Sequence, residues 1–232
     1  MKRFAMALLG FALSLVTLAS GPTITLNPAV AAGQAEVVTV FMGTSSNSVS
    51  SVTQTNCTWA QATFMNGSGR VEIWYCLSAG SSPGSTISIV LSSLDPNGYG
   101  AFEKTYAYSL TALDKTATYY SSTAATTTQT GTTATTTQAS ELCVAGIAIL
   151  DASKVGYSVT ALSNSYVSRS GADYVGTGEV WGTYADFTQT TAAAQSSTAT
   201  LSASTTAPGC IATFKIGASV GGNHSLSVMG VG

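Results

Sequence analysis

The chain has 232 residues, of which 45% are hydrophobic and only 8% charged, with a formal net charge of −2. Ordinary soluble domains carry roughly 25% charged residues, so Ser, Thr, Ala and Gly must solvate this surface. The apolar content excludes a charge-driven disordered chain, and the lack of a basic stripe excludes ordinary electrostatic recognition of nucleic acid.

Lys2-Arg3 followed by the apolar run Ala5–Ala19 reads as an export signal. The run is shorter than the roughly 20 residues that a bilayer span needs. Small residues place the end of the signal at residue 21, and the cluster Ala29-Val30-Ala31-Ala32 allows an end as late as residue 32. The remainder, 22–232, is read as a single β-sandwich domain that is secreted or displayed at the cell surface, with no membrane span in its mature form.

Short runs rich in β-branched and aromatic residues then follow one another, separated by Gly, Ser, Asn and Pro. The expected strands are Thr23–Leu26, Glu36–Met42, Thr58–Phe64, Val71–Leu77, Thr86–Leu91, Ala101–Leu110 and Thr116–Tyr120. Leu142–Leu150, Gly156–Leu162, Glu179–Phe187, Thr198–Ser204, Cys210–Ile216 and Ser225–Val231 complete the series. Several alternate with period two, as in Thr86-Ile87-Ser88-Ile89, the mark of a half-buried strand. The expected fold is all-β, a two-sheet antiparallel β-sandwich. Two Thr-rich stretches, Ser121–Ser140 and Thr190–Thr206, have the composition of a stalk. They lack Pro and sit between strands that need partners, so they are read as polar strands and loops.

Asn66-Gly67 between two β runs favours a two-residue hairpin turn. That register pairs Cys57 with Cys76 and Trp59 with Trp74 on the outer face of the hairpin, beside Arg70 and Glu72 and opposite Val71, Ile73 and Tyr75. A longer loop using Gly69 would shift it. Four cysteines in an exported chain imply two disulfides, so Cys57–Cys76 leaves Cys143–Cys210 by elimination. An outward Trp59 and Trp74 would offer a stacking platform for sugar rings or a partner's pocket, unless a loop or strand covers them.

Motifs for catalysis are absent. The single histidine, His224, lies in a Gly-rich segment without a neighbouring carboxylate, and nucleophilic catalysis needs a base beside the nucleophile. Asp95, Asp114, Asp151, Asp173, Asp186, Glu72, Glu103, Glu141 and Glu179 are scattered singly, which favours solvated or turn roles; Asp95-Pro96-Asn97-Gly98 reads as a turn. No CxxC pair, EF-hand loop or phosphate-binding glycine loop occurs, so neither metal nor cofactor is expected. Sequons stand at Asn56, Asn66 and Asn223, with Asn66 at the expected hairpin tip.

Asn56-Cys57-Thr58-Trp59, Val71–Cys76, Leu113–Ala117, Thr132–Ile149 and Ile211–Lys215 carry a resemblance to extracellular β-sandwich domains of archaeal and bacterial surface proteins, covering roughly Glu36 to Ile216. That resemblance implies a jelly-roll-like sandwich and surface display, and supplies no catalytic residue. Pro22-Thr23-Ile24-Thr25-Leu26-Asn27-Pro28 more weakly resembles the donor strand of archaeal surface filaments, in which a strand of one subunit completes the sandwich of the next. Ile24 and Leu26 would be its inserted side chains; an ordinary first strand of the same domain is the alternative. The functional expectation is a non-enzymatic structural or adhesive surface protein that self-associates or binds other surface proteins or glycans. Within it, a filament subunit and a glycan-binding module are the finer readings; a secreted hydrolase ranks third.

Overall fold

The computed structural model describes residues 19–26, 29–150, 158–169, 174–178 and 180–219. All regular structure among them is β. The first half contributes β1 (Ala19–Thr25), β2 (Ala35–Met42), β3 (Val49–Thr53), β4 (Trp59–Asn66), β5 (Arg70–Cys76), β6 (Thr86–Leu91) and β7 (Gly98–Tyr106). The second contributes β8 (Tyr108–Tyr119), β9 (Ala125–Gln129), β10 (Glu141–Leu150), β11 (Val159–Leu162), β12 (Val167–Ser168), β13 (Tyr174–Gly178), β14 (Val180–Gln189), β15 (Thr198–Thr205) and β16 (Gly209–Ser219). The expected strand Ser225–Val231, the leader up to residue 18 and the start of Gly156–Leu162 lie outside the described residues. Ala101–Leu110, expected as one strand, divides near Ala107 into β7 and β8, which join different sheets.

Two five-stranded sheets, β13-β7-β2-β5-β4 and β12-β14-β10-β16-β8, pack face to face, and two three-stranded sheets, β1-β6-β3 and β11-β15-β9, cover their outer faces. The expected antiparallel sandwich is therefore present, with four sheets rather than two. The reason lies in the central strands. Val37 and Phe41 of β2 join Leu142, Val144 and Ala148 of β10 in the core between the large sheets. The alternate residues Val38, Val40 and Met42 pack against Ile24, Ile87 and Ile89 of the first outer sheet. On β10, Ile147 and Ile149 pack against Ala199 and Leu201 of the second outer sheet. Every position of β2 is thus buried, which period-two alternation cannot announce because a strand covered on both faces reads as a continuous apolar run. These strand orders do not establish the jelly-roll connectivity that the resemblance implies.

The orders contain a repeat. In chain order β1 to β7 form a large-sheet segment β7-β2-β5-β4 with a cover β1-β6-β3. The strands β9, β10, β11, β12, β14, β15 and β16 form β16-β10-β14-β12 with a cover β9-β15-β11. Each strand has its counterpart at the same place, β1 with β9 and β2 with β10. Loop details repeat as well. Asn56, after β3, has φ 56°, and Asn164, after β11, has φ 58°. Each side-chain amide donates to a carbonyl in the loop before the next covering strand: Asn56 to Ser81 O at 2.7 Å and Asn164 to Ser196 O at 2.8 Å. Asn tolerates the left-handed region better than most residues because its short amide bonds locally.

The Thr-rich stretches are each other's partners, as strands and loops rather than a stalk. The backbone N–H groups of Thr130, Thr133 and Thr136 donate to the carbonyls of Ser197, Gln195 and Ala193 at 3.0, 2.9 and 3.2 Å. Their hydroxyls accept from the backbone N–H groups of those residues at 3.0, 2.9 and 3.2 Å. Each of these threonines is buried, so its hydroxyl replaces a ladder bond that water would otherwise supply.

Candidate functional site

The hairpin built from β4 and β5 turns through Gly67-Ser68-Gly69, with Asn66 paired to Arg70, and a bulge between Gln61 and Thr63 shifts the register again. Trp59 therefore faces Cys76, and Trp74 faces Gln61. The two-residue turn expected at Asn66-Gly67 is replaced by the longer loop, because the tip is packed rather than free. A Cβ on Gly67 would lie 2.3 Å from the Tyr120 ring, and Ser68 Oγ donates to Thr206 O at 2.7 Å.

Cys57 and Cys76 are disulfide-bonded nonetheless, with Cα atoms 6.0 Å apart. Cys57 lies just before β4, so the bridge ties the β3–β4 connection to the end of β5 instead of spanning a ladder pair. Its separation of 19 residues corresponds to about 3 kcal/mol in the loop-entropy model.

The face that carries Trp59, Trp74, Arg70 and Glu72 is not an outer one. The sheet β1-β6-β3 covers it, and both tryptophans are half-buried against that cover. Glu72 is fully buried and has four donors: Arg70 Nε at 2.5 Å and Val49 N at 3.0 Å on one oxygen, Gln61 Nε2 at 2.6 Å and Trp74 Nε1 at 2.8 Å on the other. Of the expected stacking pair, Trp74 thus belongs to a polar network beneath the cover, while Trp59 packs against the cover with its indole Nε1 buried and without a hydrogen-bond partner. The exposed tryptophan is Trp181, 48% exposed on β14, which sequence reasoning passed over.

Beside this network lies Glu36, also missed. It is buried and pairs directly with Cys76 across the β2–β5 ladder. Its Oε1 accepts from Gln54 Nε2 at 3.1 Å, and its Oε2 lies 3.3 Å from Cys57 Sγ. Burial pushes its carboxyl up to about 7, against the opposing hydrogen bond from Gln54.

Cys143 and Cys210 do not pair; both are free and buried. Elimination failed because of strand pleating. Cys143 lies opposite Thr213 and Cys210 opposite Gly146, on opposite faces of one sheet: Cys210 sits in the core between the large sheets, Cys143 beneath Tyr166 on the other side. Burial pushes the Cys143 thiol up to about 12 and raises Cys210 as well, which makes both poor nucleophiles. Alkylation of the non-reduced protein followed by mass spectrometry is expected to add no label in native buffer and two labels in denaturant. Four labels without reductant would rule out the bridge.

A second buried carboxylate, Asp186 on β14, clamps the two large sheets together. Tyr106 of β7 donates to its Oδ2 at 2.6 Å, and Arg169 donates through Nε to Oδ1 at 2.6 Å. Lys104 lies 3.5 Å from Oδ2, and the Tyr106 and Tyr184 hydroxyls are hydrogen-bonded to each other. Burial raises both phenols well above their ordinary value, with the Asp186 charge adding to the effect.

The solvated role expected for the single carboxylates therefore fails for Glu72, Glu103, Glu141 and Asp186, all buried. One charge in an otherwise apolar strand, as in Val71-Glu72-Ile73 or Tyr184-Ala185-Asp186-Phe187, was the available signal. Asp114 is held near 2: burial raises it, but Thr137 and Lys115 outweigh that. Asp95 does form the expected turn, accepting from Asn97 N at 3.0 Å and from Thr44 N and Oγ1 at 3.1 and 2.8 Å. Asp151, Asp173, Glu179, His224 and Asn223 lie outside the described residues. Asn66 is exposed, its Oδ1 bonded to Arg70, whereas the Asn56 amide is engaged in its loop. Ile24 and Leu26 are buried in the chain's own core.

Comparison with known protein families, characterised proteins and solved structures returns no match.

Proposed function

We propose that this chain is a non-enzymatic extracellular structural or adhesive protein whose copies join by exchanging β1. The observation that supports it is the position of that strand. β1 pairs with β6 alone, at the edge of its sheet. Ile24 of β1 and Leu26 just after it fill the core between that sheet and the large sheet below it. A strand with one neighbour and one apolar face can leave its slot in one copy and occupy the same slot in the next, because the pairing made equals the pairing lost.

Other features favour assembly over catalysis. Glu72 and Asp186 are saturated with donors inside the protein, so neither is poised for a substrate. The glycan-binding alternative loses its stacking pair to burial. Of the two sequons among the described residues, Asn66 is the better placed for glycosylation, because the Asn56 amide is engaged in its own loop. The reading also limits processing: an end of the signal at residue 21 would trim Ala19–Gly21 from β1, and an N-terminus as late as residue 32 would remove the whole strand and leave the β6 edge open.

Deleting residues 19–28 is expected to abolish higher-order assembly seen by electron microscopy and light scattering. A synthetic peptide of those residues should bind the truncated protein and raise its melting temperature. If the truncated protein still forms the same assemblies, exchange of β1 is wrong.

A further inference from the structure

The surroundings of the Cys57–Cys76 bridge contain acceptors without donors. Glu36 Oε2 faces a disulfide sulfur, which has no proton to give. Gln54 Oε1 is buried and has no hydrogen-bond partner, while the Gln54 Nε2 side is occupied by Glu36 and by Gly84 O at 2.8 Å. Buried acceptors normally find a donor or a cation. Here a carboxylate oxygen of Glu36 and the sulfurs of Cys57 and Cys76 lie within 4.8 Å of one another.

We propose that the reduced form of this bridge is a site for a thiophilic divalent cation of the zinc class, held by Cys57, Cys76 and Glu36. Two thiolates and one carboxylate oxygen are three ligands of the kind such an ion takes, and its fourth position is left to a further oxygen donor. The ligands come from well-fixed elements. Glu36 is in the central strand β2 and Cys76 is its ladder partner on β5. Gln54 and Cys57 are joined by a β-bridge of their own. Backbone pairing, and not only the S–S bond, thus holds Cys76 beside Glu36 and fixes the turn that carries Cys57. Sequence motifs miss the set because it is gathered from three strand ends rather than one CxxC knuckle.

The chemistry balances as two steps. A dithiol passes two electrons and two protons to the bridge; the S–S bond breaks, Cys57 and Cys76 become thiols, and the reductant closes its own disulfide. Binding of the dication then expels the two thiol protons, and the Glu36 carboxyl also loses its proton where it holds one. In the oxidised protein the sulfurs are spent in the bridge and the site is closed to metal. Cation binding and reduction therefore favour each other, and the metal-bound form resists reoxidation.

The test uses the full protein in oxidised form and after reduction with a phosphine, which reduces the bridge and is itself oxidised to the phosphine oxide with oxygen from water. Each form is titrated with Co²⁺. The expected result is one equivalent bound only after reduction, with thiolate-to-cobalt charge-transfer bands and tetrahedral visible bands that one equivalent of Zn²⁺ removes. Cys57→Ser should abolish the bands, Glu36→Gln should weaken binding by at least about tenfold, and a Cys143→Ala, Cys210→Ala double variant should bind as the wild type does. The comparison of oxidised with reduced wild type needs no variant to fold. Absence of the bands in reduced wild-type protein that retains its β circular dichroism would overturn the proposal, as would bands that persist in Cys57→Ser.

Discussion

Replacing Asp186 with Ala is expected to destabilise the protein by about 3 kcal/mol or more, read as a shift in the denaturant midpoint. The carboxylate is 2% exposed and ties Tyr106 of one large sheet and Arg169 to β14 of the other. Removing it leaves the paired Tyr106 and Tyr184 hydroxyls one acceptor short between the sheets and takes the partner from Arg169 and Lys104. Breaking a buried pair on one side costs about 3–5 kcal/mol, because the surviving group keeps its desolvation penalty without compensation. Arg169 is partly exposed and can turn to water, which keeps the expectation at the lower end. Asp186→Asn should cost less than the Ala change, since the amide oxygen still accepts from Tyr106. Equal costs for the two variants, or a loss below about 1 kcal/mol, would show that the clamp contributes little.

The second large effect is on pH dependence, and it runs against the usual direction for a carboxylate. Glu36 has its carboxyl raised by burial from 4.5 to about 7. Between those values the folded protein holds a proton that the unfolded chain has released. Its contribution is therefore complete below about pH 4.5, falls as pH rises to about 7, and is constant above that. The full span corresponds to about 3 kcal/mol. Glu141, raised in the same direction by burial, adds to this slope. Asp114, lowered to about 2, acts oppositely: its contribution is present above its ordinary 3.8 and is lost as pH falls through 2. Thermal stability should therefore peak in mildly acidic solution, near pH 4 to 5, and decline towards pH 8. Glu36→Gln, which keeps the shape and removes the charge, should flatten that decline. A wild-type melting temperature that rises from pH 5 to pH 8, or a slope unchanged in Glu36→Gln, would contradict the assignment. With few other titrating groups in the chain, acid tolerance is the behaviour expected of the whole fold.

Strand content was legible because it rests on local chemistry. Thr86-Ile87-Ser88-Ile89 alternates as a half-buried strand must, and β6 occupies Thr86–Leu91. The cysteine pair Cys57–Cys76 was also legible, since any hairpin folded near Gly67 brings those residues close, whichever loop length is used. The face it occupies was not. Parity within a hairpin tells which side chains share a side, but both sides of β5 are covered, one by the second large sheet and one by β1-β6-β3. The same limit undid the Cys143–Cys210 pairing: counting cysteines supplies a number, while only the β10–β16 register places the two sulfurs on opposite faces.

Local sequence was enough for the class of secondary structure, the approximate strands, the Asp95 turn and the reading of the Thr-rich stretches as strands and loops rather than a stalk. These follow from propensity and periodicity over a few residues, which distant parts of the chain do not alter. Tertiary structure alone decided the four-layer stacking, the repeat of the seven-strand unit, the burial of Glu36, Glu72 and Asp186, and which thiols can meet. Each depends on what lies across a face, and a strand presents the same alternation whether water or another sheet stands opposite it.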